Sequence, residues 1–371
     1  GGFALEGNTF LWSGPGYPIF LMIFKFLNFP LLIPKLFNAI FLYAGLILIY
    51  KTFILYINQK KAFLLTVLMG LYYPSFMQCL PLLLTEALAF LCVCFFLYFT
   101  CKGKKEGKIY WLLLSGFSLA YLALVKVIFG YVILVVSVGF LIVFLFHKRK
   151  KEIIPFGIIL GFTFLFISPY LLYTYTITGK VYYWSNSGGM SLYWMSSPYE
   201  NELGDWHSFD LEENKQLKRN HQEYIYSINS LKPVEKDNEL KRKAIENIFN
   251  NKKKFLNNWV ANVSRLFLSY PLSFLKPSIG ILYYLVPNMF LVVLSFLSFI
   301  LTLIRIKVIP YEILFLLAIS FIYLFGISLL ASYARFLYLI LPILLVWNGL
   351  VINKYVKINL KLTKPKPFAN S

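Results

Sequence analysis

Carboxylates are scarce in this sequence, and their placement decides where chemistry can occur. Of sixteen acidic residues, eleven fall between Glu200 and Glu246; the others are Glu6, Glu86, Glu106, Glu152 and Glu312. Glu86 stands one turn into an otherwise apolar helical pattern, in Pro81-Leu82-Leu83-Leu84-Thr85-Glu86. A charge deep in a spanning helix costs on the order of 2.5–3.5 kcal/mol on insertion scales, so Glu86 is read first as a functional group. Its structural alternative is a partner for Lys126 or for a backbone group. Lys126 lies in Leu124-Val125-Lys126-Val127, a tight turn between two apolar segments, and Arg335 opens the last apolar segment in Ser332-Tyr333-Ala334-Arg335-Phe336. Lysines in such turns commonly snorkel to the interface. Two cations and one carboxylate beside an aromatic-rich surface also suit a phosphate-bearing lipid, because charged N–H donors bind phosphate oxygens strongly.

A second candidate is the turn Ser13-Gly14-Pro15-Gly16-Tyr17-Pro18, immediately before the apolar run Ile19-Phe20-Leu21-Met22. Proline fixes φ and glycine permits φ > 0, so the stretch predicts a rigid turn delivering the chain into a helix with Pro18 in its first turn. Other chemistries find little support. Cys79, Cys92, Cys94 and Cys101 lie in or beside apolar segments without metal-ligand spacing, and His147, His207 and His221 are widely scattered. No Gly-rich phosphate loop and no nucleophile elbow occurs.

The elements that must carry these residues are membrane helices. The chain is 59% hydrophobic and 14% charged, with a mean hydropathy of +0.67, against about a quarter charged in soluble domains. Candidate spans fall at 35–51, 62–78, 82–101, 109–124, 127–146, 153–173, 281–304, 311–331 and 334–353. Residues 17–30 are too short to cross before Pro30 and Pro34, and predict a juxtamembrane helix. The fold class is therefore all-α, a multi-pass integral membrane protein with about nine transmembrane helices and one long outer loop.

The net charge of +20 could signal nucleic acid, but the basic residues cluster in short loops: Lys51/Lys60/Lys61, Lys102 to Lys108, His147 to Lys151, Arg305/Lys307 and Lys354 to Lys366. Nine crossings put all of these on one side, the cytoplasm by the positive-inside rule, and no nucleic-acid partner is needed. Glu86, Lys126, Arg335, the opening stretch and residues 174–280 then face outside. Residues 1–173 form an N-terminal membrane module with part of a first outer loop. Residues 174–280 form a hydrophilic outer loop whose end, Phe255 to Leu275, reads as an interfacial helix, and residues 281–371 are C-terminal membrane helices with a basic tail. Asn262-Val263-Ser264 is a glycosylation sequon by pattern.

These segments, in this order, resemble the multi-pass glycosyltransferases that use polyprenyl-phosphate sugars, the C-type superfamily around glycosyltransferase family 39. Pro15-Gly16-Tyr17-Pro18 resembles that family's turn out of its first outer loop, and Thr85-Glu86 its second acidic position. Leu124-Val125-Lys126 stands where members often carry Leu-Thr-Arg. Ser168-Pro169-Tyr170 through Gly179 and Ser185-Asn186-Ser187-Gly188-Gly189 resemble its exit into the long loop, and Arg335-Phe336 with Leu341-Pro342 its late Arg-Tyr…Pro helix. The family's catalytic aspartate precedes the Pro-Gly-Tyr-Pro turn. Here the only aspartates are Asp205, Asp210 and Asp237. The chain is thus read as N-terminally truncated, with that aspartate before Gly1 and with Glu86 and Glu6 as the carboxylates that remain for catalysis.

The resemblance implies a glycosyltransferase of the plasma (inner) membrane that moves a sugar from a polyprenyl-phosphate donor to a lipid or glycan acceptor at the outer face. Pro15, Gly16, Tyr17, Lys126 and Arg335 would bind substrate, with a divalent metal ion as an optional helper at the phosphate. A lipid-linked polysaccharide polymerase shares the substrate class. A non-catalytic transporter or flippase would show paired mid-bilayer charges and related halves, and neither is visible.

Overall fold

In the computed structural model, residue 11 and residues 13–72, 80–210, 214–304 and 309–355 are described. Among them the chain is helical throughout, without strands. The first module comprises α1 (Gly16–Phe26), α2 (Leu32–Phe53), α3 (Gln59–Gly70), α4 (Glu86–Glu106), α5 (Ile109–Val125), α6 (Ile128–Phe146) and α7 (Lys150–Thr178). A helical lobe follows, made of α8 (Gly188–Met195), α9 (Lys215–Ser227), α10 (Pro233–Asn250) and α11 (Lys252–Leu268). The C-terminal helices are α12 (Leu282–Ile304), α13 (Tyr311–Ser328) and α14 (Arg335–Tyr355).

Among the described residues seven helices are long and apolar enough to cross a membrane: α2, α4, α6, α7, α12, α13 and α14. Two of the nine expected spans differ. The stretch at 109–124 forms α5, apolar throughout but only 17 residues long. The stretch at 62–78 forms α3, 12 residues in length, which reaches ~18 Å of a ~30 Å hydrocarbon core. Its α-helix gives out at Gly70, where a helix loses stability for want of a side chain. Residues 73–79, including Cys79, lie outside the described residues.

Helix α1 has 11 residues, too few to cross, as its prolines predicted. It is held to α2 by a ladder of rings, with Phe20 5.1 Å from Phe41 and Phe24 5.0 Å from Phe37. The bundle centre is α4 and α14, whose apolar stretches are 78% and 72% buried, against 22% for the segment that includes α12. Between them Phe90 stacks on Tyr338 at 4.7 Å. Such a pair adds to the dispersion that must hold helices together where lipid removes the hydrophobic drive.

Polar contacts sort the loops to two ends of the bundle. Lys104 Nζ bonds Glu152 at 2.7 Å, Tyr56 Oη bonds Glu312 at 2.7 Å, and Lys61 Nζ bonds Asn353 at 2.8 Å. Lys105 Nζ also bonds the Leu55 carbonyl, so the basic loops near 55–61, 102–108 and 147–152 share one end, as the charge pattern required. At the other end sit residues 13–17, Glu86, Lys126 and Arg335, together with the lobe.

The lobe is built on stripes of unlike character. Helix α10 turns Asp237, Leu240, Ala244 and Asn247 inward at helical spacing. Helix α11 has an inward stripe that is largely polar, including Asn258, Asn262 and Arg265, while Leu256 and Val260 stay exposed on the opposite side. That outward apolar face is what an interfacial helix presents to lipid.

Candidate functional site

Three elements distant in sequence meet at the lobe end. Glu86 is the first residue of α4, Lys126 directly follows the end of α5, and Arg335 starts α14. Lys126 Nζ lies 2.9 Å from Glu86 Oε1, and Arg335 Nε lies 3.3 Å from the same oxygen. The Glu86 side chain is 2% exposed, Lys126 14% and Arg335 33%. Thr85 Oγ1 reaches the other carboxylate oxygen at 3.4 Å. A carboxylate so buried keeps its charge only with such partners. The Arg335 N–H is not aligned for a hydrogen bond to Glu86, so the contact is one of charge. Its guanidinium lies 5.4 Å from the rings of Tyr333 and Phe336, and Lys126 Nζ lies 5.1 Å over Phe336.

Both cations face a cavity of about 650 Å³, which Ser13, Gly14, Lys241 and Tyr333 also line. Glu86 stands behind this wall and reaches the cavity through the two cations it pairs. The opening turn forms part of the wall through Ser13 and Gly14. Pro15, Gly16 and Tyr17 are buried behind it. The reason for two glycines is close approach: a Cβ on Gly14 would sit 2.0 Å from the Leu124 carbonyl oxygen, and one on Gly16 2.7 Å from Val125. With Tyr121 Oη bonded to the Gly16 carbonyl at 2.9 Å, the turn is clamped onto the peptide that carries Lys126. Glu6 lies outside the described residues.

The last cation is positioned from the lobe. Asn262 Nδ2 donates to the Ser328 and Leu330 carbonyls, each at 2.7 Å, and its Oδ1 accepts from Ser332 N at 3.0 Å and from Arg265 at 2.9 Å. Arg265 is fully buried and donates to the Ser332, Pro271 and Leu203 carbonyls at 3.1, 2.7 and 3.4 Å. Burial lowers its pKa, but its N–H groups are satisfied by carbonyls, which stabilise the charged form. This clamp fixes residues 328–332, just before Arg335. Sequence reasoning passed over it, although Asn258, Asn262 and Arg265 recur at i, i+4 and i+7, a polar stripe legible as one helix face. With Asn262 buried and fully bonded, the sequon is closed to modification in the folded protein.

Lys241 is the third cation of the cavity and was also missed. It pairs with Asp237 at 2.5 Å, and Asp237 in turn accepts the Gly189 N–H at 2.6 Å. Elsewhere in the lobe, His221 lies between Glu202, 2.8 Å from Nε2, and Tyr193, 2.7 Å from Nδ1. Both His207 and His221 pack on Trp194, with centroids 5.2 and 4.7 Å away. Among the described residues no group of three or more His, Cys, Asp or Glu could hold a metal ion. The described carboxylates beside the cavity, Glu86 and Asp237, are both paired to cations and offer no free ligand to a divalent metal.

No curated protein and no solved structure matches the chain. Residues 17–173 match the family described as dolichyl-phosphate-mannose-protein mannosyltransferase. That match takes in Tyr17, Glu86 and Lys126, while Arg335 lies beyond it. The kinship read from the Thr-Glu motif and from Tyr17-Pro18 is thus supported over residues 17–173, which are similar to that family.

Proposed function

We propose that the protein is a membrane glycosyltransferase that takes its sugar from a polyprenyl-phosphate donor. The observation that carries this reading is the convergence of Lys126 and Arg335, from distant parts of the chain, on one cavity at the lobe end. Three cations, Lys126, Arg335 and Lys241, border that cavity, against two carboxylates, Glu86 and Asp237, that they already pair. The surplus is one positive charge, which matches the single negative charge of a sugar–phosphate–lipid diester.

In the transfer, a lone pair of the acceptor hydroxyl forms the new bond to the anomeric carbon. The bond from that carbon to the phosphate oxygen breaks, and its electron pair leaves on the lipid phosphate. The acceptor proton passes to a carboxylate base. Lys126 and Arg335 stabilise the charge gathering on the leaving phosphate. Glu86, paired to both, is assigned as the residue that positions them. The basic loops grouped at the opposite end support an outer-face site by the positive-inside rule.

The test is transfer of labelled sugar from a polyprenyl-phosphate donor in native membranes. Lys126→Gln and Arg335→Gln should each lower kcat/KM by about 10²-fold, the scale of losing one preorganised donor to a developing anion. Transfer undiminished in both variants would overturn the reading.

A further inference from the structure

A second cavity, about 630 Å³ in volume, opens within the lobe, and its lining includes Asn186, Trp206, Phe209, Asn229 and Lys236. Trp206 also lines the cation cavity, so one residue forms part of both walls. Its carbonyl accepts Tyr333 Oη at 2.9 Å, and Tyr333 packs against Arg335. The segment between the cavities is thereby fixed to Tyr333 and Arg335 of the cation cavity.

The lining combines several chemistries. Phe209 and Trp206 offer apolar ring faces, Asn229 and Asn186 offer amides, Lys232 and Lys236 offer positive charge, and Asp237 is a carboxylate already paired to Lys241. Lys236 Nζ lies 3.1 Å from Asn229 Oδ1 and 5.1 Å over the Phe209 ring. Among the described residues no carboxylate comes within ion-pair distance of it. The carboxylates nearby are occupied: Asp237 by the Gly189 N–H at 2.6 Å and by Lys241 at 2.5 Å, and Glu235 by the Lys232 N–H at 3.4 Å. Burial shifts the Lys236 ammonium below its usual pKa, which is the mark of a cation without a counter-charge.

An acyl chain would bury the Lys236 ammonium with no opposite charge to meet it. A neutral sugar would use the rings and amides but not the lysine. A saccharide that carries an anionic group uses all three, with its C–H face on the rings, its hydroxyls on the amides and its charge on Lys236.

We propose that the lobe cavity is the acceptor subsite, and that the acceptor is a saccharide bearing an anionic group that Lys236 binds. The role as acceptor site rests on the glycosyltransferase reading; the binding of an anionic saccharide does not. Trp206 is the partition that the acceptor hydroxyl must pass to meet the donor carbon.

The probe is glucose 6-phosphate, with glucose and inorganic phosphate as comparisons, titrated against the protein in lipid nanodiscs by saturation-transfer NMR. Glucose 6-phosphate should bind at millimolar concentration and more tightly than either comparison. Lys236→Gln and Phe209→Ala should each weaken it by about tenfold, the scale of one charge-assisted contact or one ring face. Lys126→Gln, which alters the other cavity, should leave this binding unchanged while it impairs sugar transfer. Loss of binding in Lys126→Gln but not in Lys236→Gln would place the sugar phosphate in the cation cavity and overturn the proposal. Inorganic phosphate binding as tightly as glucose 6-phosphate would reduce the site to a simple anion site and overturn its saccharide part, and absence of binding would overturn the whole. If binding follows Lys236 while no lipid donor supports transfer, the glycosyltransferase reading fails and the saccharide site stands.

Discussion

Replacing Glu86 by glutamine keeps the size of the side chain and removes the charge between Lys126, at 2.9 Å, and Arg335, at 3.3 Å. Breaking a buried ion pair from one side typically costs ~3–5 kcal/mol, because the remaining charge is left uncompensated. Here the 14% and 33% exposure of the two cations lets them turn toward the water of the cavity, so the low end, about 3 kcal/mol, is expected. Removing Lys126 in the same protein should relieve part of this loss, since one fewer cation then lacks a partner. The assay is a double-mutant cycle on Glu86→Gln and Lys126→Gln, read by tryptophan fluorescence during unfolding in nanodiscs. The double variant should be more stable than Glu86→Gln alone, with a coupling energy of at least about 1 kcal/mol. Additivity within about 0.5 kcal/mol would refute the reasoning. It would mean that the pair contributes nothing that water in the cavity does not replace, and that Glu86 is not what holds the cations.

Gly14→Ala would set a Cβ 2.0 Å from the Leu124 carbonyl oxygen, forcing the opening turn off the peptide before Lys126. A loss of ~1–3 kcal/mol is expected from such overpacking, with sugar transfer reduced alongside; unchanged melting and unchanged transfer would contradict the tight docking. The lobe should lose stability on acidification. Burial holds His207 below its usual 6.5 despite the nearby Asp205 carboxylate, so below that pH the unfolded lobe takes up a proton the folded one resists, and stability falls. For Glu202, burial works against the charge, but the hydrogen bond and charge of His221, with Ser197 and Asn220, outweigh it and hold the pKa below its usual 4.5. Its stabilisation is present above that value and is lost as the pH falls through the folded pKa, so both groups act in the same direction. Hydrogen exchange of the lobe between pH 7.5 and pH 5 checks the His207 part, and protection that is constant or rises toward pH 5 would count against it; extending the series below pH 4.5 checks the Glu202 part.

The sequence by itself determined the architecture and part of the site. Apolar runs and loop charges are local properties, governed by transfer into lipid and by the membrane's charge asymmetry. They located most of the spans, the juxtamembrane α1 and the end of the bundle that holds Glu86, Lys126 and Arg335. Scarcity singled out Glu86, because an isolated charge in an apolar run demands an explanation. The motif Pro15-Gly16-Tyr17-Pro18 was legible as a rigid turn, but its role was not: only packing shows that Gly14 and Gly16 are small so that the turn can lie on Leu124 and Val125. Tertiary structure alone decided that one carboxylate oxygen serves both cations, since residues 86, 126 and 335 meet only when α4, α5 and α14 pack together. It also brought Lys241 to the same cavity and placed Trp206 between two pockets, contacts that no local pattern encodes. The lobe shows the limit most clearly. Hydropathy reads the polar face of α11 as solvated, yet Asn258, Asn262 and Arg265 are its buried face, because backbone carbonyls of the 195–203 and 328–332 segments supply the hydrogen bonds that water would otherwise provide.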